Sequence, residues 1–199
     1  MLTAVPAGYE GRVTPYDDRG WPSFEQRVTM MLKMQSLMGW NMIVDVGNPC
    51  AKPHVPLTAA SFETLLESKT FTNNADSTVV AKLYAKTMHE ALGMTPLLRF
   101  PALKWGDDEM KQLVEVLPEC TALRGLNLKN NKFTLAGATM LARCLNDGAM
   151  PKLLCIGGYN TMLLESPELK AACDARGIAL QGECDMDDLE KLGFVESNA

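Results

Sequence analysis

Six cysteines, at positions 50, 120, 144, 155, 173 and 184, and two histidines, His54 and His89, carry the side chains best suited to nucleophilic or metal chemistry. Their spacing argues against both roles. No C-x-x-C pair occurs, so the ligand spacing of a zinc site is missing. The cysteines are expected to be buried free thiols in a reducing compartment. His54 lies in a connector with Pro49, Pro53 and Pro56, and His89 lies beside Glu90. Neither has a nucleophile at a familiar spacing, so both read as surface or structural histidines. There is no G-x-S-x-G elbow, no Walker loop and no G-x-G-x-x-G. Gly157-Gly158 is too short to cradle a phosphate, and at a strand such glycines mark irregular backbone. Asp185-x-Asp187 lacks the central glycine and distant glutamate of a calcium loop. The acidic run 185–190 reads instead as a solvated helix start. Arg19, Trp21 and Glu25 are types that a nucleotide pocket uses. The local reading is simpler: Trp21 packs the loop onto a helix, Arg19 pairs with a carboxylate, and Glu25 favours the helix N-terminus. The sequence therefore assigns no catalytic residue, no cofactor and no metal.

The 199 residues carry 19 basic and 24 acidic side chains, a net charge of -5. That balance argues against nucleic acid, which is normally met by a basic stripe. No apolar run approaches the roughly 20 residues that span a bilayer. The opening Met1-Leu-Thr-Ala-Val-Pro6 lacks the basic start and apolar run of a signal peptide, so a cytoplasmic location is expected.

The elements that must position any site are clearest at Leu123-Arg-Gly-Leu126-Asn-Leu128-Lys-Asn-Asn131. Leu126 and Leu128 alternate on a short strand and share a face. Asn131 stands where the chain leaves the strand, and its amide can hold backbone groups that a turn leaves unpaired. A helix follows over 133–145, with Leu135, Ala138, Leu141, Ala142 and Leu145 at inward spacing. Comparable segments recur at steps of 28 to 30, placing strand centres near 43, 71, 100, 128 and 157. A helix over 23–38 carries a core stripe of Met31, Met34 and Met38. Thr58 caps a second helix, and Asp76 caps a third that Gly93 stops. Pro167 opens a helix with Leu169, Ala172 and Cys173 inward, ended by Gly177. A last strand at 178–180 and a helical turn at 187–192 complete a cap over the final hydrophobic layer. The expected fold class is α/β: a short irregular solenoid of parallel strands alternating with helices. Its parts are an N-terminal loop, helix and strand segment (1–57), a repeat region (58–162), and a C-terminal helical cap and tail (163–199).

The segment 123–131, with Gly137, Leu141, Ala142 and Leu145, resembles leucine-rich repeats of the ribonuclease-inhibitor-like class. The resemblance covers roughly half of the chain and implies a non-enzymatic module that binds a protein through the concave strand face. Residues between the leucines point to that face. They are Asn127 and Lys129, with Arg99 and Pro101 one repeat earlier, Cys155 and Gly157 one later, and Thr70 and Thr72 extending the row. The set is mildly basic, so an acidic protein segment is the expected ligand class. A second resemblance lies in Tyr16-Asp-Asp-Arg19-Gly-Trp21-Pro22-Ser-Phe24-Glu25 and in Phe71-Thr-Asn-Asn-Ala-Asp76. Both are similar to segments of protist multidomain proteins, where they follow a Toll/interleukin-receptor-like region. That resemblance implies the C-terminal fragment of a nicotinamide-dinucleotide-cleaving signalling protein, without its upstream catalytic strands. Pro22 stands where many relatives carry Cys, which weakens the carry-over of a catalytic role.

Overall fold

The computed structural model describes residues 14–33 and 53–191. The strand expected near 43, together with Met34, Met38 and Cys50, lies outside the described residues. The chain divides into two compact units, residues 1–91 and 92–199.

The first unit holds helix α1 (Gly20–Lys33), α2 (Ala59–Glu67) and most of α3 (Asp76–Met94). Its core centres on Phe62 and Tyr84, whose rings stack 3.8 Å apart at 17°. The Tyr84 hydroxyl is satisfied by the Leu57 backbone, donating to its carbonyl at 2.8 Å and accepting from its N–H at 2.9 Å. Thr58 caps α2 by accepting from the Ser61 N–H at 3.1 Å, as its position predicts. Asp76 is the first residue of α3 rather than its cap. Gly93 does not stop that helix, which runs on to Met94. Thr95 precedes Pro96, whose ring disfavours the helical region for the residue before it. No strand forms near 71. Lys69-Thr-Phe-Thr-Asn-Asn74 offers one apolar residue, too little to bury a strand. Its ladder groups go instead to the α1 entry: Thr70 N–H donates to Asp18 at 2.8 Å and its carbonyl accepts from Gly20 at 3.1 Å.

The second unit is α/β, with four parallel strands in sequential order. They are β1 (Leu97–Arg99), β2 (Gly125–Asn127), β3 (Cys155–Gly157) and β4 (Ala179–Gln181). Leu97 pairs with Gly125, Gly125 with Cys155, and Cys155 with Ala179, steps of 28, 30 and 24 residues. Between them lie α4 (Asp107–Val116), α5 (Leu135–Asn146) and α6 (Pro167–Arg176), with α4 packed on α5 and α5 on α6. Sequential parallel strands with crossovers of one hand place all the crossover helices on one face. The buried ladder Leu98, Leu126 and Ile156 faces them, backed by Leu113, Leu141, Leu145 and Leu169. Leu135, expected inward, is exposed: it is the first residue of α5, one turn short of the packed stripe.

The exits of β1, β2 and β3 use the left-handed region, at Ala102, Asn130 and Asn160, with φ of 57°, 57° and 56°. Asn131 is buried beside these turns. Its Oδ1 accepts from Leu103 N–H at 3.0 Å and Trp105 N–H at 3.2 Å. Its Nδ2 donates to Phe100 O at 2.7 Å and Leu128 O at 2.9 Å. One side chain thus ties two consecutive turns together. Further down, Asp107 Oδ1 accepts from Thr134 N–H at 2.9 Å, so the first turn of α4 holds the cap of α5. Arg176 closes α5 from α6, donating to Leu145 O at 2.9 Å, Ala149 O at 2.7 Å and Met150 O at 2.6 Å.

Replacing Asn131 by Leu strands four buried backbone groups, each costing about 1–3 kcal/mol when unpaired. The expected loss is at least about 3 kcal/mol, since some groups relax toward water. Urea unfolding measures it. Asn131→Asp, which keeps the acceptor and loses the donor, is expected to fall between Leu and wild type.

Candidate functional site

Side chains alternate across a strand. The ladder at 98, 126 and 156 therefore leaves positions 97, 99, 125, 127, 155, 157, 179 and 181 on the face away from the helices. At the centre of that face stand Gly125, Asn127, Cys155 and Gly157. The row is low because glycine and cysteine dominate it.

The chain itself lies in this low row. After β4 it turns at Gly182, crosses the sheet, and forms the short helix α7 (Met186–Lys191). Asn127 Nδ2 donates to Cys184 O at 2.8 Å, and its Oδ1 accepts from Lys129 N–H at 3.2 Å. The Lys129 ammonium pairs with the Glu183 carboxylate. Cys184 Sγ approaches Cys155 O at 3.5 Å, and Cys155 Sγ approaches Glu183 O at 3.7 Å. Cys184 and Leu189 are completely buried, in one apolar cluster with Leu97 and Cys155. Burying a leucine contributes roughly 1.5–3 kcal/mol. The half-exposed ion pair contributes less than about 1 kcal/mol. Apolar contact therefore holds the segment, and charge selects its sign.

Two glycines make this possible. A Cβ at Gly157 would fall 2.7 Å from Cys184 N, and one at Gly125 would fall 2.8 Å from Cys184 Sγ. Gly157 belongs to a regular strand, so it marks a close backbone approach rather than irregular backbone. The acidic run is a helix start, as its composition predicts. Asp185 and Asp188 exchange side-chain-to-backbone bonds, with Asp188 N–H donating to Asp185 at 3.1 Å and Asp185 N–H to Asp188 at 3.2 Å. The segment does not cap the end of the array; it covers the strand face.

The expected binding row is thus divided. Asn127 and Cys155 are buried beneath residues 183–189, whereas Arg99, Pro101 and Lys129 remain partly exposed. Thr70 and Thr72 are exposed but belong to the first unit, outside the sheet, so they do not extend the row. Glu183, Cys184 and Leu189 were missed by reading the sequence. The signal was the small residue at several outward positions, Gly125, Cys155, Gly157 and Ala179, which leaves room for a covering chain.

The first unit holds a separate cavity of about 620 Å³, lined by residues including Thr14, Arg19, Trp21, Glu25 and Phe71. Among the described residues Arg19 pairs with no carboxylate. Its Nε and Nη2 donate to Thr14 O at 2.9 and 2.7 Å. Trp21 lies within α1, and its indole N–H donates to Asp76 at 3.1 Å. Glu25 accepts from the Tyr16 hydroxyl at 3.2 Å; burial and this carboxylate push Tyr16 up to about 12, so it stays protonated. His54 and His89 are exposed, and among the described residues no group of His, Cys, Asp and Glu is arranged to hold a metal ion.

Cys120, Cys144, Cys155, Cys173 and Cys184 are buried free thiols. Burial pushes Cys120 up to about 12, and Cys144 and Cys173 up to about 11. Hydrogen bonding to Cys155 and burial push Cys184 up as well. The raised values keep Cys120, Cys144, Cys173 and Cys184 as neutral thiols at neutral pH.

The chain matches no protein-family model and no curated protein sequence.

A thiol ionises near 9 when exposed. Raised folded-state values mean that the unfolded chain releases these protons first. Stability from the thiols is complete below about pH 9 and is lost as pH rises toward 11–12. The urea midpoint is therefore expected to hold steady up to about pH 8.5 and fall progressively above about pH 9. Cys120→Ala is expected to shallow that fall.

Proposed function

We propose that this chain is a non-enzymatic protein-interaction module of the leucine-rich-repeat kind, which binds a partner protein through the strand face opposite its helices. The observation that carries the reading is the layering of the second unit. Short parallel strands repeat at steps of 28, 30 and 24 residues, a buried Asn131 locks the exits of β1 and β2 together, and the helices stack on one side. Such an array spends its helices on the core and leaves the opposite strand face as the surface for recognition. Arg99 and Lys129 give the strands of that face a mildly basic character against an acidic whole, and in this chain the acidic segment 183–190 lies over them with Glu183 paired to Lys129. An acidic partner segment is the matching chemistry.

A second reading draws on the cavity beside Arg19, Trp21 and Glu25. In it the chain is the C-terminal part of a Toll/interleukin-receptor-like protein that cleaves a nicotinamide dinucleotide. It requires a catalytic carboxylate in that cavity, and among the described residues Glu25 is the one lining it. Glu25 already accepts a bond from the Tyr16 hydroxyl, whereas the strand face is built by the layering of the second unit. The interaction-module reading is therefore preferred.

Affinity capture from native lysate, comparing wild type with Arg99→Glu and with Arg99→Glu plus Lys129→Glu, tests the first reading once equal folding is verified by circular dichroism. A partner held by wild type and lost stepwise in the variants is expected. Identical captured sets would remove the strand face from the account. Turnover of nicotinamide dinucleotide by the purified chain, abolished by Glu25→Gln, would favour the second reading instead.

A further inference from the structure

The strand face is not vacant: residues 183–189 of the same chain lie on it. We infer that this segment is a resident self-ligand. It occupies in cis the site that an acidic, leucine-bearing segment of the partner takes in trans, and the partner must displace it. The inference rests on the strand-face reading and deepens it by naming the recognised chemistry.

The contacts define that chemistry. A glutamate meets Lys129, as Glu183 does. A small residue follows and sits directly over Gly125 and Gly157, as Cys184 does, with its carbonyl taken by Asn127. An acidic helical turn comes next, and a leucine five positions on closes the apolar cluster with Leu97 and Cys155, as Leu189 does. The matching pattern is Glu-small-Asp-x-Asp-Asp-Leu-Glu, read from 183–190.

Displaceability follows from how the segment is held. It adds no strand to the sheet, whose last member is β4. Across the face it is fixed by the side-chain hydrogen bond from Asn127, two weak thiol contacts between Cys155 and residues 183–184, one ion pair and two apolar side chains. Tyr159 N–H holds the Gly182 carbonyl at 2.9 Å, which places the pivot of the segment after Gly182. A tethered segment competes at an effective concentration on the order of millimolar. A free ligand then binds more weakly by the fraction of molecules whose face is open.

The test uses the full chain and a labelled synthetic peptide with the sequence of residues 181–192, carrying Ser in place of Cys184. Binding is read by fluorescence anisotropy, and thiol exposure by maleimide labelling with mass spectrometry. A strap-side variant, Cys184→Asp with Leu189→Asp, is expected to label rapidly at Cys155 and to bind the peptide at least about tenfold more tightly than wild type. Adding Gly157→Val to that variant is expected to abolish binding, because the new side chain fills the row. Should the strap-side variant fail to fold, wild type alone decides the matter. Peptide at millimolar concentration is expected to accelerate labelling of Cys184 while Cys155 stays protected.

Equal peptide binding by wild type and the strap-side variant would overturn the occlusion and leave strand-face recognition standing. A folded variant that labels at Cys155 yet binds no peptide would overturn the ligand class. So would a wild-type Cys184 whose labelling is unmoved by saturating peptide. None of these results touches the Arg99→Glu capture, so failure of this inference is separable from failure of the interaction-module reading.

Discussion

The side-chain amide of Asn131 is the constraint on which the second unit depends. A parallel strand of three residues contributes few ladder bonds, and the turns leaving it carry backbone groups that nothing in the sheet can satisfy. Asn131 brings an acceptor and a donor to the same buried point and satisfies groups of two successive turns at once. With the turns held in step, Leu98, Leu126 and Ile156 align as one ladder and the helices behind them stack. The bonds from Thr134 to Asp107 and from Arg176 to the end of α5 repeat the same device at the helix termini. Each ties one repeat to the next, so no layer is held by apolar contact alone.

This regularity has a consequence for the opposite face. Where the helix-side ladder is large and aliphatic, half of the outward positions are small: Gly125, Cys155, Gly157 and Ala179. A low row of this kind admits a polypeptide backbone at van der Waals distance, and residues 183–189 lie there. The buried Asn127 then has its whole amide engaged, one end by the Cys184 carbonyl and the other by the Lys129 N–H. A surface residue of the repeat has become an interior one. The division between the partly exposed basic residues Arg99 and Lys129 and the buried centre follows from that cover.

Much of this fold was legible in the residues because its signals are local. The strand at 125–127, the asparagine after it, and the helix with Leu141 and Leu145 inward follow from periodicity and turn chemistry. So do the Pro167 start and the left-handed Gly177 end of α6. The misplaced strand near 71 shows the limit of period counting. A step of 28 residues locates a position, but Lys69-Thr-Phe-Thr-Asn-Asn74 lacks the apolar alternation to bury one there, and its backbone satisfies the α1 entry instead. The cover on the strand face was illegible for a different reason. It joins residues 57 positions apart, Asn127 and Cys184, through a backbone carbonyl that no side-chain pattern announces. Glycine in a strand could be read as a place of close approach, but not as close approach by which segment.

The most direct test of the account is a nuclear Overhauser measurement on the isotopically labelled full chain. A Cβ on Gly157 would fall 2.7 Å from the Cys184 nitrogen, so an α-proton of Gly157 points at the Cys184 amide. A strong cross-peak between the two is predicted, accompanied by contacts from the Leu189 methyls to Gly125. A Cys184 amide that shows only contacts to its sequence neighbours would contradict the account, because the strand face would then be open.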